Sequence, residues 1–96
     1  MSLYHSYHSL IAGSAQQLAI ATASATVSST LPGATTGVRV VANTGCWYRV
    51  DGSAAATSGA FLPANVIEYT PCGSSAQISV LAATTAGTFW LTPVCG

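Results

Sequence analysis

Apolar and polar residues alternate along much of this chain, which is the pattern of β-strands that bury one face. The alternation is clear at residues 38–42, 46–50, 66–69, 76–82 and 88–92. Many positions in these runs are β-branched or aromatic, and such residues favour strands. The pattern therefore predicts a strand at each of these places.

Turn-forming residues separate the runs. Leu31-Pro32-Gly33 and Pro71-Cys72-Gly73 are turn sequences, and residues 84–87 form another break. The turns recur about every 8–12 residues with no helical pattern between them, which is typical of all-β sandwiches and barrels. Residues 16–30 alternate more weakly and predict one or two further strands. We therefore expect an all-β fold, either an antiparallel β-sandwich or a jelly-roll-like barrel.

The chain has 96 residues, a length that suits a single domain. Residues 16–96 are predicted to form one β-sandwich domain. Residues 1–15 differ from the rest and are predicted to be an extended N-terminal arm that becomes ordered on a neighbouring subunit. The predicted interface residues of this arm are Tyr4, His5, Tyr7, His8 and Leu10.

Two other interpretations of the N-terminal stretch remain. The three-residue offset of His5 and His8 suits metal binding, but no third ligand is near in sequence. We therefore predict no metal site. The other interpretation is a flexible terminus, which is common in small domains.

Three of the four charged side chains fall within residues 38–51. A short loop, Asn43-Thr44-Gly45, separates the two strands of this segment, and loops of this length and composition commonly join hairpin strands. A hairpin would bring Arg39 close to Arg49 and Asp51, where opposite charges pair across strands. The sequence thus predicts a hairpin ion pair made by these three residues.

The chain carries very little charge. Charged residues make up 4% of it, with a formal net charge of zero, whereas ordinary soluble domains have roughly 25%. A protein with a net charge near zero tends to self-associate. Two arginines and no lysine cannot neutralise a row of phosphates, so the composition argues against nucleic acid as a partner.

No catalytic motif is present, and the chain has one aspartate and one glutamate, Asp51 and Glu68. We therefore expect neither enzymatic activity nor a cofactor. No run of 18 or more apolar residues exists, so a transmembrane helix and a membrane partner are not predicted. Ala23-Ser24-Ala25 is similar to a signal-peptidase site, but no basic segment precedes it, and a secretory signal is not expected.

The three cysteines are Cys46, Cys72 and Cys95. Their odd number argues against a closed disulfide framework, and their spacing matches no zinc pattern. The preferred interpretation is free thiols that pack as small apolar groups. The alternative is a disulfide between Cys72 and Cys95 that holds the C-terminal strand in place.

The motifs of residues 38–92 occur in a particular order. A short Asn/Gly turn precedes a strand with Trp and Arg, a Gly-x-x-Leu-Pro-Ala turn leads to a Glu-Tyr strand, and a Pro-x-Gly turn leads to a final hairpin. These motifs are Asn43-Thr44-Gly45, Trp47-Tyr48-Arg49-Val50, residues 59–65, Glu68-Tyr69, Pro71-Cys72-Gly73, and residues 78–80 with 88–92. In this order the segment resembles small β-sandwich structural proteins of tailed bacteriophages.

The resemblance covers somewhat over half of the chain and implies a virion structural protein. The function it favours is a capsid cement or decoration protein on the capsid exterior, assembled in the host cytoplasm. Its implied partners are the major capsid protein and copies of itself, with a trimer favoured. The alternatives are a head–tail or tail accessory structural protein and a carbohydrate-binding or adhesin sandwich. In the carbohydrate-binding alternative Trp47, Tyr48, Tyr69 and Trp90 would form a stacking platform; otherwise they pack in the fold.

Overall fold

The computed structural model describes residues 9–11, 14–51 and 59–95 of the chain. These residues contain no helix and form nine short strands. The strands are β1 (Ser9–Leu10), β2 (Gln16–Ile20), β3 (Thr26–Val27), β4 (Gly37–Ala42), β5 (Cys46–Arg49), β6 (Ala60–Leu62), β7 (Glu68–Pro71), β8 (Ser79–Ala82) and β9 (Gly87–Cys95).

The strands form two antiparallel sheets. In the first sheet β9 pairs with β4, and β4 pairs with the edge strand β7. β1 and β2 lie one after the other along the opposite side of β9. The second sheet has the order β3-β8-β5-β6. This architecture confirms the predicted all-β sandwich fold.

Each sheet buries one face against the other sheet, as the alternating sequences require. Every second residue of β4 and β9 is inaccessible to solvent, and the same pattern holds for β5. Phe89 is the largest of the fully buried residues. Its ring packs against that of Tyr48 at a centroid distance of 5.8 Å. The buried side chains around them are Leu18, Ile20, Val38, Val40, Ala42, Cys46, Leu62, Ile78, Val80 and Leu91.

The predicted hairpin at residues 38–51 is wrong. β4 and β5 do not pair, because the loop between them carries the chain from the first sheet to the second. Both strands alternate because each buries one face, but their apolar faces meet across the core and do not lie side by side. Alternation indicates which side chains share a face, and it does not indicate which strands are neighbours.

Polar groups of the connecting loop explain this crossing. The Asn43 amide donates to the Thr88 carbonyl at 3.1 Å, and Asn43 Oδ1 accepts from the Thr88 amide at 2.8 Å. On the other side, the Ala83 amide donates to the Gly45 carbonyl at 3.2 Å. The loop is therefore bound at one end to β9 and at the other end to the residue that follows β8.

Part of the predicted arm belongs to the sandwich itself. Ser9 and Leu10 pair with Cys95 and Val94 of β9, and the Ile11 amide donates to the Pro93 carbonyl at 3.0 Å. Leu10 is 54% exposed there. The other predicted interface residues of the arm lie outside the described residues; they are Tyr4, His5, Tyr7 and His8.

Candidate interaction surface

The outer face of the first sheet carries aromatic, apolar and uncharged polar side chains around one positive charge. Its side chains come from strand positions that alternate with buried residues of β2, β4 and β9, and with half-buried residues of β7. We call this surface the Arg39 face; its residues are Gln17, Arg39, Val41, Tyr69, Trp90 and Thr92.

Strand register places Arg39 in the middle of this face. Arg39 lies directly opposite Tyr69 of β7 on one side and Thr92 of β9 on the other. Trp90 lies opposite Val41, one row further along. Tyr69 is 50% exposed and Trp90 36% exposed. Large aromatic side chains with this much exposure on a flat sheet are typical of binding surfaces.

A small hollow adjoins the Arg39 face beside Tyr69. It has a volume of about 70 Å³, and its walls include Tyr69, Pro71 and Val94. Gly37 of β4 also lines the hollow, between Pro71 and Val94, its neighbours in the sheet. A β-carbon at Gly37 would lie 2.9 Å from the Thr70 carbonyl oxygen, which is too close for a real contact.

The outer face of the second sheet is also apolar. Trp47 of β5 lies opposite Phe61 of β6 and Leu81 of β8. The rings of Trp47 and Phe61 pack edge to face, with centroids 5.1 Å apart and an interplanar angle of 61°. Phe61 is 45% and Val27 44% exposed. We call Val27, Trp47, Phe61 and Leu81 the Trp47 face.

Only part of the predicted ion-pair set comes together. Arg49 Nη2 lies 2.7 Å from Asp51 Oδ2 at the end of β5. This contact raises the pKa of Arg49, and the pair sits at the surface with both side chains partly exposed. Arg39 does not join it, because β4 and β5 belong to different sheets. Arg49 and Asp51 thus pair locally at the end of one strand, whereas the predicted pairing across a hairpin, with Arg39 in it, is wrong.

The remaining charge, on Glu68, is held between the sheets. The Tyr48 hydroxyl of β5 donates to Glu68 Oε1 of β7 at 3.0 Å and lies 2.7 Å from Thr70 Oγ1. The Tyr48 hydroxyl has one proton and donates it to Glu68, so the Thr70 hydroxyl is the donor in the second bond. Burial raises the pKa of Tyr48, so its hydroxyl stays protonated at ordinary pH. These bonds connect the second sheet to the edge strand of the first.

The four aromatic residues of the carbohydrate-binding alternative do not form one platform. Tyr48 is buried in the core at 4% exposure. Trp47 lies on the outer face of the second sheet, while Tyr69 and Trp90 lie on the outer face of the first. Nothing in the sequence distinguishes these outer faces, because alternation is the same on both sheets.

All three cysteines are free thiols in the structure. The Thr36 amide donates to the Val94 carbonyl and the Cys72 amide to the Thr36 carbonyl, so Thr36 lies between the segments that carry Cys72 and Cys95. Two strand spacings are roughly 9–10 Å, and a disulfide needs Cα atoms closer than about 7 Å. The alternative disulfide is therefore not formed, because the segment at Thr36 lies between its two cysteines.

Cys46 is expected to be the slowest thiol to react. It is fully buried, and burial raises the pKa of its thiol to about 11. At pH 8 only about one Cys46 side chain in a thousand would be a thiolate, the reactive form. Timed labelling with a maleimide, followed by peptide mass mapping, should find Cys72 and Cys95 modified first. In urea all three should react alike; Cys46 labelling at the rate of the others in the folded protein would contradict this burial.

Within residues 9–11, 14–51 and 59–95, no group of three or more His, Cys, Asp or Glu side chains could hold a metal ion. The same described segments contain no helix that is long and apolar enough to cross a membrane. Neither a family model, nor a curated protein sequence, nor a solved structure matches the chain.

Proposed function

We propose that this chain is a structural protein of a bacteriophage particle, a capsid cement or decoration protein that binds the major capsid protein and copies of itself on the capsid exterior. The observation that carries the proposal is the pair of apolar outer faces, which expose Tyr69 and Trp90 on one side and Val27 and Phe61 on the other. The order of motifs along residues 38–92 supports the assignment to a phage particle.

The size of the faces favours a role in a lattice. Four strands spaced about 4.8 Å apart, with about five residues each, cover roughly 300–400 Å². A stable interface between two proteins buries about 800 Å² on each partner. One face is thus too small to hold a single partner firmly. Two faces on opposite sides of the sandwich suit a protein that contacts several neighbours at once, where weak contacts add up.

Counting the copies of this protein per particle tests the proposal. Quantitative mass spectrometry of purified particles of the encoding phage should find it in a fixed ratio to the major capsid protein. A handful of copies per particle would instead favour a head–tail or tail accessory protein. Its absence from the particle would contradict a structural role. Native mass spectrometry of released protein should show an oligomer, with a trimer favoured by the resemblance.

Attachment to the particle is expected to resist salt and to fail in urea. The contacts proposed here bury mainly apolar groups, and salt hardly screens such burial, whereas the Debye length falls from about 10 Å at 0.1 M to about 3 Å at 1 M salt. Urea solvates both apolar and peptide groups. Sedimentation of particles in 1 M NaCl should therefore leave the protein bound, and urea should release it. Release of most copies by salt alone would mean that charge dominates attachment.

A further inference from the structure

Arg39 is the charged residue of the Arg39 face, and the other residues of this face are uncharged. Its side chain is half-buried between the rows of Tyr69 and Thr92. Among the described residues, no ion pair includes Arg39. A partner that covers this face removes water from the guanidinium, and burying an unpaired charge is costly. Whatever binds here must therefore supply an acceptor for Arg39.

A second copy of this chain is poorly suited to supply that acceptor. The chain has two carboxylate side chains, Asp51 and Glu68. Asp51 pairs with Arg49 at 2.7 Å, and Glu68 accepts the Tyr48 hydroxyl between the two sheets. Moreover, a two-fold contact between two Arg39 faces would set two central arginines against each other, and like charges in an interface are unfavourable.

We propose that the Arg39 face is the surface that binds a different protein, and that this partner presents an apolar patch with one carboxylate placed over Arg39. This inference rests on the proposed function in one respect, namely that the partner is the capsid shell. Charge complementarity favours this occupant: the face offers one positive charge beside Tyr69 and Trp90, and a partner with a spare carboxylate matches it.

The surroundings of Arg39 favour such a contact. An arginine can hold a carboxylate by two parallel hydrogen bonds, and the pair is stronger where water is excluded. Tyr69 and Trp90 flank it, and tyrosine, tryptophan and arginine are the residue types that dominate binding energy at protein interfaces. The hollow beside Tyr69 offers a place for a small apolar side chain of the partner. Because the pair would be buried, salt would screen it only weakly.

The binding experiment uses capsids from a phage strain that lacks the gene for this protein. Wild-type protein and the Arg39→Gln, Arg39→Glu and Arg49→Gln variants are titrated onto these capsids and sedimented. We expect Arg39→Gln to bind at least about tenfold more weakly, since loss of one member of a buried charge pair is costly. Arg39→Glu should bind more weakly still. Arg49→Gln is the charge control, because it removes the same charge from a partly exposed pair with Asp51 at the end of β5, in the other sheet from Arg39, and it should bind within about twofold of wild type.

The outcomes separate the two proposals. Failure of the wild-type protein to bind capsids would overturn the proposed function and the shell as partner. Tight wild-type binding that Arg39→Glu leaves unchanged would overturn the face assignment alone. Sedimentation equilibrium of the free proteins tests the occupant: an altered oligomeric mass for Arg39→Glu would mean that a second copy occupies the face. Thermal unfolding of each variant confirms that it is folded.

Discussion

Replacing Phe89 with alanine is expected to lower the free energy of unfolding by about 3–5 kcal/mol. Phe89 lies on β9, which pairs with three other strands, and its side chain is fully buried. Its removal would lose the transfer free energy of the ring and leave a cavity between the two sheets. It would also remove the partner of the Tyr48 ring. Small domains have a total stability of about 5–15 kcal/mol, so this single change would take a large part of it.

Phe61 provides a matched control, because the chain has two phenylalanines and this one lies on the outer face of the second sheet. Phe61→Ala removes the same atoms but mainly loses the contact with Trp47, which is worth about 1 kcal/mol. Urea unfolding monitored by circular dichroism measures both variants. Equal losses of stability for the two would show that Phe89 is not enclosed as the structure describes.

Gly87→Ala is expected to lower the free energy of unfolding by about 0.5–1.5 kcal/mol, the net contribution of a typical hydrogen bond. An added β-carbon at Gly87 would collide with Asn43 Oδ1 and Thr44 Oγ1. Asn43 cannot move away without releasing the Thr88 amide, which it binds at 2.8 Å. The change therefore disturbs the loop that carries the chain from the first sheet to the second.

The controls for this variant are Gly33→Ala and Gly73→Ala. An added β-carbon at either position meets no atom within 4 Å, and neither backbone has a left-handed φ. Alanine there should leave stability unchanged or raise it by up to about 1 kcal/mol, because it restricts the unfolded chain. Thermal unfolding of the three variants side by side gives the comparison. A Gly87→Ala protein as stable as its controls would contradict the close packing at this loop.

The strands were predictable from sequence, and their partners were not. Alternation of residues 38–42 and 88–92 indicated two strands with one buried face each, and both exist as β4 and β9. Their pairing with each other joins residues about fifty positions apart, for which a single sequence carries no signal. The loop after β4 had the length and the residues of a hairpin turn, yet it connects the two sheets.

The interaction surface was predictable only in part. Alternation placed Arg39 on the side of β4 opposite to Val38 and Val40, and its outward position follows from that. Its separation from Arg49 could not be foreseen, because it depends on which sheet each strand joins. The positions of Trp47 and Trp90 on opposite outer faces could not be foreseen either, because they depend on β5 joining the second sheet and β9 joining the first.

The position of β9 has a consequence for how the protein is made. β9 is the last of the described strands to leave the ribosome, and it joins β4 to both β1 and β2. Until it emerges, the strands on its two sides have no common partner, and the apolar face of β4 has no completed sheet to hold it. The first sheet is therefore complete only after residue 95 has been synthesised. Premature termination anywhere before β9 would yield a chain that exposes its core and is a target for chaperones and proteases.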